Sequence, residues 1–175
     1  VVDNLNKIND SYKNNNRLNF HINLVLVPCP NATGTEYKVA KTWNKFKLIT
    51  KANSFWKLLL RPNHYAKWPQ KGIVIFLGGD QLWSTLFAKR LGYVSITYAE
   101  WISRWPRWNN VIAAMNMKVK KSIPEKYRYK CTVIGDLMAD IINNKKVSLD
   151  FKEEKLIALL PGSKKAKLSV GIPYF

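Results

Sequence analysis

The stretch IVIFLGGDQLWSTLFAKRLG, residues 73–92, decides the fold. Five apolar residues run directly into two glycines and an aspartate, and a helical pattern begins at once. An apolar run of that length, ended by glycine and continued by a helix, reads as a buried strand turning into a helix. Gly78 and Gly79 let the backbone turn sharply and approach a ligand closely. Asp80 stands where it can cap the helix and face a crevice beyond the strand end.

The alternation continues on both sides of this corner. FHINLVLVP (20–28) reads as a strand stopped by proline, and the turn-rich CPNATG (29–34) leads into a helix, TEYKVAKTW (35–43). KFKLIT (45–50) is a short strand, and ANSFWKLLL (52–60) is a helix that RPN ends. The helix over 81–91 is followed by VSITYA (94–99), NVIAAM (110–115), CTVIG (131–135), a helix around LMADII, and KLIALL (155–160) with PGS after it. Short apolar runs alternating with helical stretches predict an α/β, doubly wound domain, a mainly parallel sheet with helices on both faces. The Lys/Asn-rich patches 13–16 and 143–146 read as surface loops. Val1, Val2, Leu5 and Ile8 already follow a helical period, and the chain closes at GIPYF soon after a new strand and glycine turn, the pattern of an internal fragment.

Of the 175 residues, 47% are hydrophobic, enough for a real core in one domain and part of a second. Lys and Arg total 29 against 11 Asp and Glu, a net charge of +18. Such a field attracts polyanions: nucleic acid, an anionic lipid surface or phosphorylated substrates. A basic solvated surface without a specific partner is the plain alternative. Cys29 and Cys131 form no CxxC pair, and with two histidines they give no zinc pattern, so no metal is expected and a reducing compartment fits. No apolar run approaches the ~20 residues of a spanning helix, and no export signal opens the chain. Without GxGxxG after a strand, GxxxxGK[ST] or HExxH, the dinucleotide, P-loop and zinc-protease readings lack their required groups. His21 in a strand and His64 beside Pro62 read as structural, and the sequon Asn31-Ala32-Thr33 matters only in a secreted protein.

In an open parallel sheet, ligands sit beyond the carboxyl ends of the strands. The residues placed there are Asn31 and Thr33, Asp80 and Gln81, Glu100 and Trp101, Asn116, Asp136, and Ser163. Each has a plainer reading. Asp80 and Asp136 could only cap the helices that follow, Glu100 could pair with Arg104 at the surface, and Pro161-Gly162-Ser163 could be a simple turn. Their common position is the stronger signal.

CTVIGDLMADI (131–141) followed by KLIALLPGSKKAKLSVGIPYF (155–175) resembles the lipid-A-disaccharide synthase family of glycosyltransferases, where a VGHPLxD-like segment precedes an LALLPGSR motif. IVIFLGGDQLWSTLFAKRLG resembles that family's strand, aspartate and helix, and YVSITYAEWISRWPRW occupies the place of its HYVSPSVWAW stretch. The likeness covers about residues 72–175. Asp136 replaces a histidine, Glu100-Trp101 a Ser-Pro pair and Lys164 the motif's arginine, which marks a divergent relative and leaves the acceptor open.

The resemblance implies the N-terminal half of a GT-B fold, with two Rossmann-like domains in the whole protein. Residues 1–152 would form the acceptor-side domain without its first strand, and 153–175 would begin the nucleotide-sugar domain. The implied reaction transfers a sugar from a nucleotide-diphosphate donor to a lipid or glycolipid acceptor, with the nucleotide-sugar as co-substrate and no other cofactor. Asp80 is the expected general base and Glu100 the second candidate. Gly78, Gly79, Gln81, Trp101, Arg104 and Asp136 would contact substrate, and Pro161, Gly162 and Ser163 the donor, at a helix start whose amides favour negative charge.

FWKLLLRPNHYAKW (55–68) and WISRWPRW (101–108) interleave aromatic rings with cations. That mixture suits an anionic membrane interface, with Trp56, Lys57, Arg61, Trp68, Trp105, Arg107 and Trp108 at headgroup depth. Since the family's acceptors are lipids, the expectation is a cytoplasmic protein peripheral on the inner membrane. A basic α/β module binding single-stranded nucleic acid without catalysis is the alternative, because the same mixture suits that partner.

Overall fold

The computed structural model describes residues 1–13, 20–30 and 32–139, together with Ser169. The chain divides into two compact units, Val1–Leu137 and Met138–Phe175. Every strand and helix named below lies in the first. The expected domain boundary near 152, the strand at 155–160, the loop at 143–146, Asn31 and Pro161-Gly162-Ser163 lie outside the described residues, as does the expected helix around 137–142 from residue 140 onward.

The first unit is α/β, with two sheets in which every pairing is parallel. It opens with α1 (Val2–Lys13), then β1 (Asn23–Val25), α2 (Glu36–Thr42) and β2 (Leu48–Thr50). A 3-10 turn over Ala52–Ser54 leads into α3 (Phe55–Leu60) and α4 (Pro62–Tyr65). Then come β3 (Ile73–Phe76), α5 (Gln81–Leu91), β4 (Val94–Ala99), β5 (Val111–Ala114), α6 (Met117–Ser122), a 3-10 helix (Glu125–Lys130) and β6 (Cys131–Val133). The strands β3-β4-β5-β6 pair in chain order. Among the described residues β1 pairs only with β2, so the segment expected to join one sheet with the others forms a second sheet with it.

α5 begins and ends where its sequence says. Asp80 accepts the Leu82 amide at 2.9 Å, which makes it the N-cap. At the other end Gly92 turns to φ 70°, its N–H reaches the Lys89 carbonyl, and the Tyr93 N–H reaches Ala88 at 2.9 Å. That pair of bonds is a Schellman ending, which needs a residue free to adopt a left-handed backbone. Lys89 and Arg90 in the last turn face the negative end of the helix dipole.

One face of the four-stranded sheet is covered. Phe76, Thr97, Ala99, Ile112, Ala114 and Cys131 are buried there, and Val119 and Ile123 close a core with the last four. The register pairs Ile73 with Val94, Ile75 with Ile96 and Ile96 with Val111, so these residues share the opposite face. There Ile73 is 61% and Val94 44% exposed. Tyr98, on the same face, is buried. α3 and the segment after α4 direct apolar rings at α5: Phe55 meets Trp83 and Phe87, and Trp68 meets Phe87 edge-on at 5.4 Å. An apolar run marks a strand that can be covered twice, but it does not say which helix covers it.

Candidate functional site

The chain leaving β3 forms the glycine corner, and its two glycines do different work. Gly79 sits at φ +97°, and a Cβ there would lie 3.1 Å from a methyl of Val27. It is required both for its backbone and for the close approach of the segment after β1. Gly78 faces open space. The corner lets three strand ends converge on one cleft of about 490 Å³. Pro28-Cys29-Pro30 come from beyond β1, Gly78 through Gln81 from β3, and Glu100, Trp101, Ile102 and Arg104 from β4. That volume falls in the range of small-molecule sites.

The cleft brings together both candidate carboxylates, Asp80 and Glu100, with Gly78, Gly79, Gln81, Trp101 and Arg104. Asp80 and Glu100 are exposed. The Asp80 cap uses one carboxylate oxygen, so capping does not occupy the whole group. No ion pair joins Glu100 to Arg104 among the described residues, and the plainer reading of Glu100 is not realised. Trp101 is 77% exposed at the cleft wall. Asp136, exposed after Gly135 at the end of β6, does not line the cleft. Asn116 caps α6 by accepting the Val119 amide at 3.0 Å. Thr33 likewise serves α2: its N–H and hydroxyl both go to Glu36, and the Thr33 amide holds the Glu36 carboxyl below its ordinary value.

Gln81 is buried and turned into the protein. Its Nε2 donates to the Ile102 carbonyl at 2.8 Å and its Oε1 accepts the Arg104 amide at 2.6 Å. Two partners that the sequence did not single out complete the wall. The buried Asn109 donates to the Arg104 carbonyl and receives the Thr85 hydroxyl at 3.0 Å. The Lys130 ammonium donates to the carbonyls of Pro106, Arg107 and Asn109. Cys29 could have been anticipated, because it follows a strand end between two prolines. Lys130 could not, since it lies 21 residues or more from the carbonyls it meets.

α5 also joins the two aromatic-basic stretches. Gln81, Thr85 and Lys89 meet the 101–109 loop, Lys89 lying 4.3 Å from the Trp108 ring, which stacks on Trp105. Trp83, Phe87 and Arg90 meet Phe55, Trp68 and Leu60 of the 55–68 stretch, Arg90 donating to the Leu60 carbonyl. At about 100° per residue these rows occupy roughly opposite sides of the helix, so the stretches flank it. Trp56, Trp105 and Trp108 are 51%, 41% and 36% exposed, and Lys57, Arg61 and Arg107 are exposed. Trp68 is a correction: half-buried, it donates to the Pro62 carbonyl and packs on Phe87.

Among the described residues no helix is long and apolar enough to cross a membrane, and no three His, Cys, Asp or Glu gather where they could hold a metal ion. No protein family, curated protein or solved structure matches the chain.

Proposed function

We propose that the cleft is the acceptor site of a glycosyltransferase similar to lipid-A-disaccharide synthase, working on the cytoplasmic surface of the inner membrane. The observation that carries this reading is the meeting of Asp80 and Glu100 in one cleft at the carboxyl ends of adjacent parallel strands, where open α/β sheets bind ligands. The acceptor hydroxyl would lie against Asp80, whose uncapped oxygen takes its proton as the sugar is transferred, with Glu100 as the alternative base. Trp101 offers an exposed ring at the cleft wall for a sugar face. Pro161, Gly162 and Ser163 remain the proposed donor contacts, on the nucleotide-sugar side, and Asp136 a substrate contact outside the cleft. The exposed tryptophans and cations on either side of α5 would hold the protein on anionic lipid and so present a lipid acceptor to the cleft.

Transfer from labelled nucleotide-sugars to glycolipid acceptors by the full-length protein tests this. Asp80→Asn keeps the cap and loses the base, so turnover falls by about 10²–10⁴. Unchanged turnover moves the base to Glu100, and wild-type protein inert toward every donor and acceptor pair overturns the reading.

A further inference from the structure

One wall of the cleft is a loop, 100–109, whose backbone is held by side chains at Ile102, Arg104, Pro106, Arg107 and Asn109. Gln81 holds Ile102 and Arg104, Asn109 closes back on Arg104, and Lys130 gathers three carbonyls at the far end. Trp105 stands at φ 58°, a backbone state that a bulky side chain keeps only where its surroundings over-determine it. Such a loop is a preformed wall. Gln81, the first residue of α5, links the two sides of the cleft, since it directly follows Asp80 in the chain and grips the segment directly after Glu100 and Trp101.

We infer that Gln81 is the positioning residue of this cleft: one amide, donating to Ile102 and accepting from Arg104, fixes the Glu100 loop relative to the Asp80 corner. The assignment replaces direct substrate contact by Gln81, whose polar atoms are both engaged with backbone. It rests on the cleft being the functional site. A glutamine suits the task because it offers a donor and an acceptor about two ångströms apart on one rigid plane, whereas leucine offers neither and glutamate offers acceptors only.

Amide hydrogen exchange by NMR on the 175-residue chain, paired with turnover in the full-length protein, tests the assignment. In Gln81→Leu the Arg104 amide exchanges about tenfold faster or more, while the amides of β4 keep wild-type rates. Gln81→Glu keeps an oxygen for Arg104, so that amide stays protected. Its lost bond to Ile102 lowers kcat by about ten- to hundredfold with KM within about twofold. Wild-type exchange at Arg104 in the leucine variant, or wild-type kcat in the glutamate variant, overturns the assignment. If the leucine variant fails to fold, the glutamate variant decides alone. A wild-type protein without transferase activity overturns the proposed function, and the exchange result still decides the role of Gln81.

Discussion

Asp80 caps α5, and under the proposed function it is also the general base, two roles that a substitution series separates. Asp80→Asn preserves the capping oxygen and leaves thermal stability within a few tenths of a kcal/mol, whereas Asp80→Ala loses about 1 kcal/mol because the Leu82 amide is left unpaired. Thermal unfolding of the two variants measures this. The glycines separate in the same way. Gly79→Ala costs about 1–2 kcal/mol, since alanine must enter a left-handed backbone and meet Val27, while Gly78→Ala, with nothing near its added methyl, is tolerated. The cysteines differ as sharply. Cys131 is 3% exposed and burial pushes its thiol up, so a thiol reagent at neutral pH labels Cys29 first, as peptide mass analysis of a time course will read. Glu36 titrates below an ordinary glutamate. Whatever stability its pairing with Thr33 adds is present above the unfolded value and is lost as pH falls through the folded one.

Elements were legible where local sequence rules determined them. β4 spans Val94–Ala99 as its six-residue apolar run predicts, and the glycine corner gave α5 both its cap and its place at the cleft. Adjacency was not legible. The run at 20–28 looks like any buried strand, yet among the described residues only Asn23–Val25 pairs, with β2. Pairing depends on registers between distant segments, which periodicity does not contain. The site divided along the same line. Asp80 and Glu100 could be found because they follow strands. Asn109 and Lys130 could not, because their role is to meet loop carbonyls that only the fold brings near. Asn109→Ala tests the importance of that hidden support: it removes a buried hydrogen-bonding hub and costs about 1–3 kcal/mol in thermal unfolding.

For the whole molecule, charge and surface chemistry act together. A net charge of +18 supplies long-range attraction to any polyanion, and under the proposed function the exposed tryptophans flanking α5 would add affinity for a lipid surface. The chain therefore sediments with anionic vesicles more than with neutral ones, salt weakens the association, and Trp56→Ala with Trp108→Ala weakens it without changing net charge. Tight binding to single-stranded oligonucleotides with no vesicle binding would instead favour nucleic acid as the partner.

The most direct test of the acceptor-site assignment uses the thiol that lines the cleft. Cys29 shares the cleft with Asp80 and Glu100, and Cys131 is a buried internal control. Alkylation of Cys29 in the 175-residue chain is followed by mass spectrometry in detergent micelles with and without a panel of single-sugar glycolipids. An acceptor seated in the cleft slows labelling of Cys29 by about the ratio of free to total protein, and does so saturably. Equal labelling rates with and without every glycolipid, at concentrations where the full-length protein turns one of them over, would contradict the assignment of this cleft as the acceptor site.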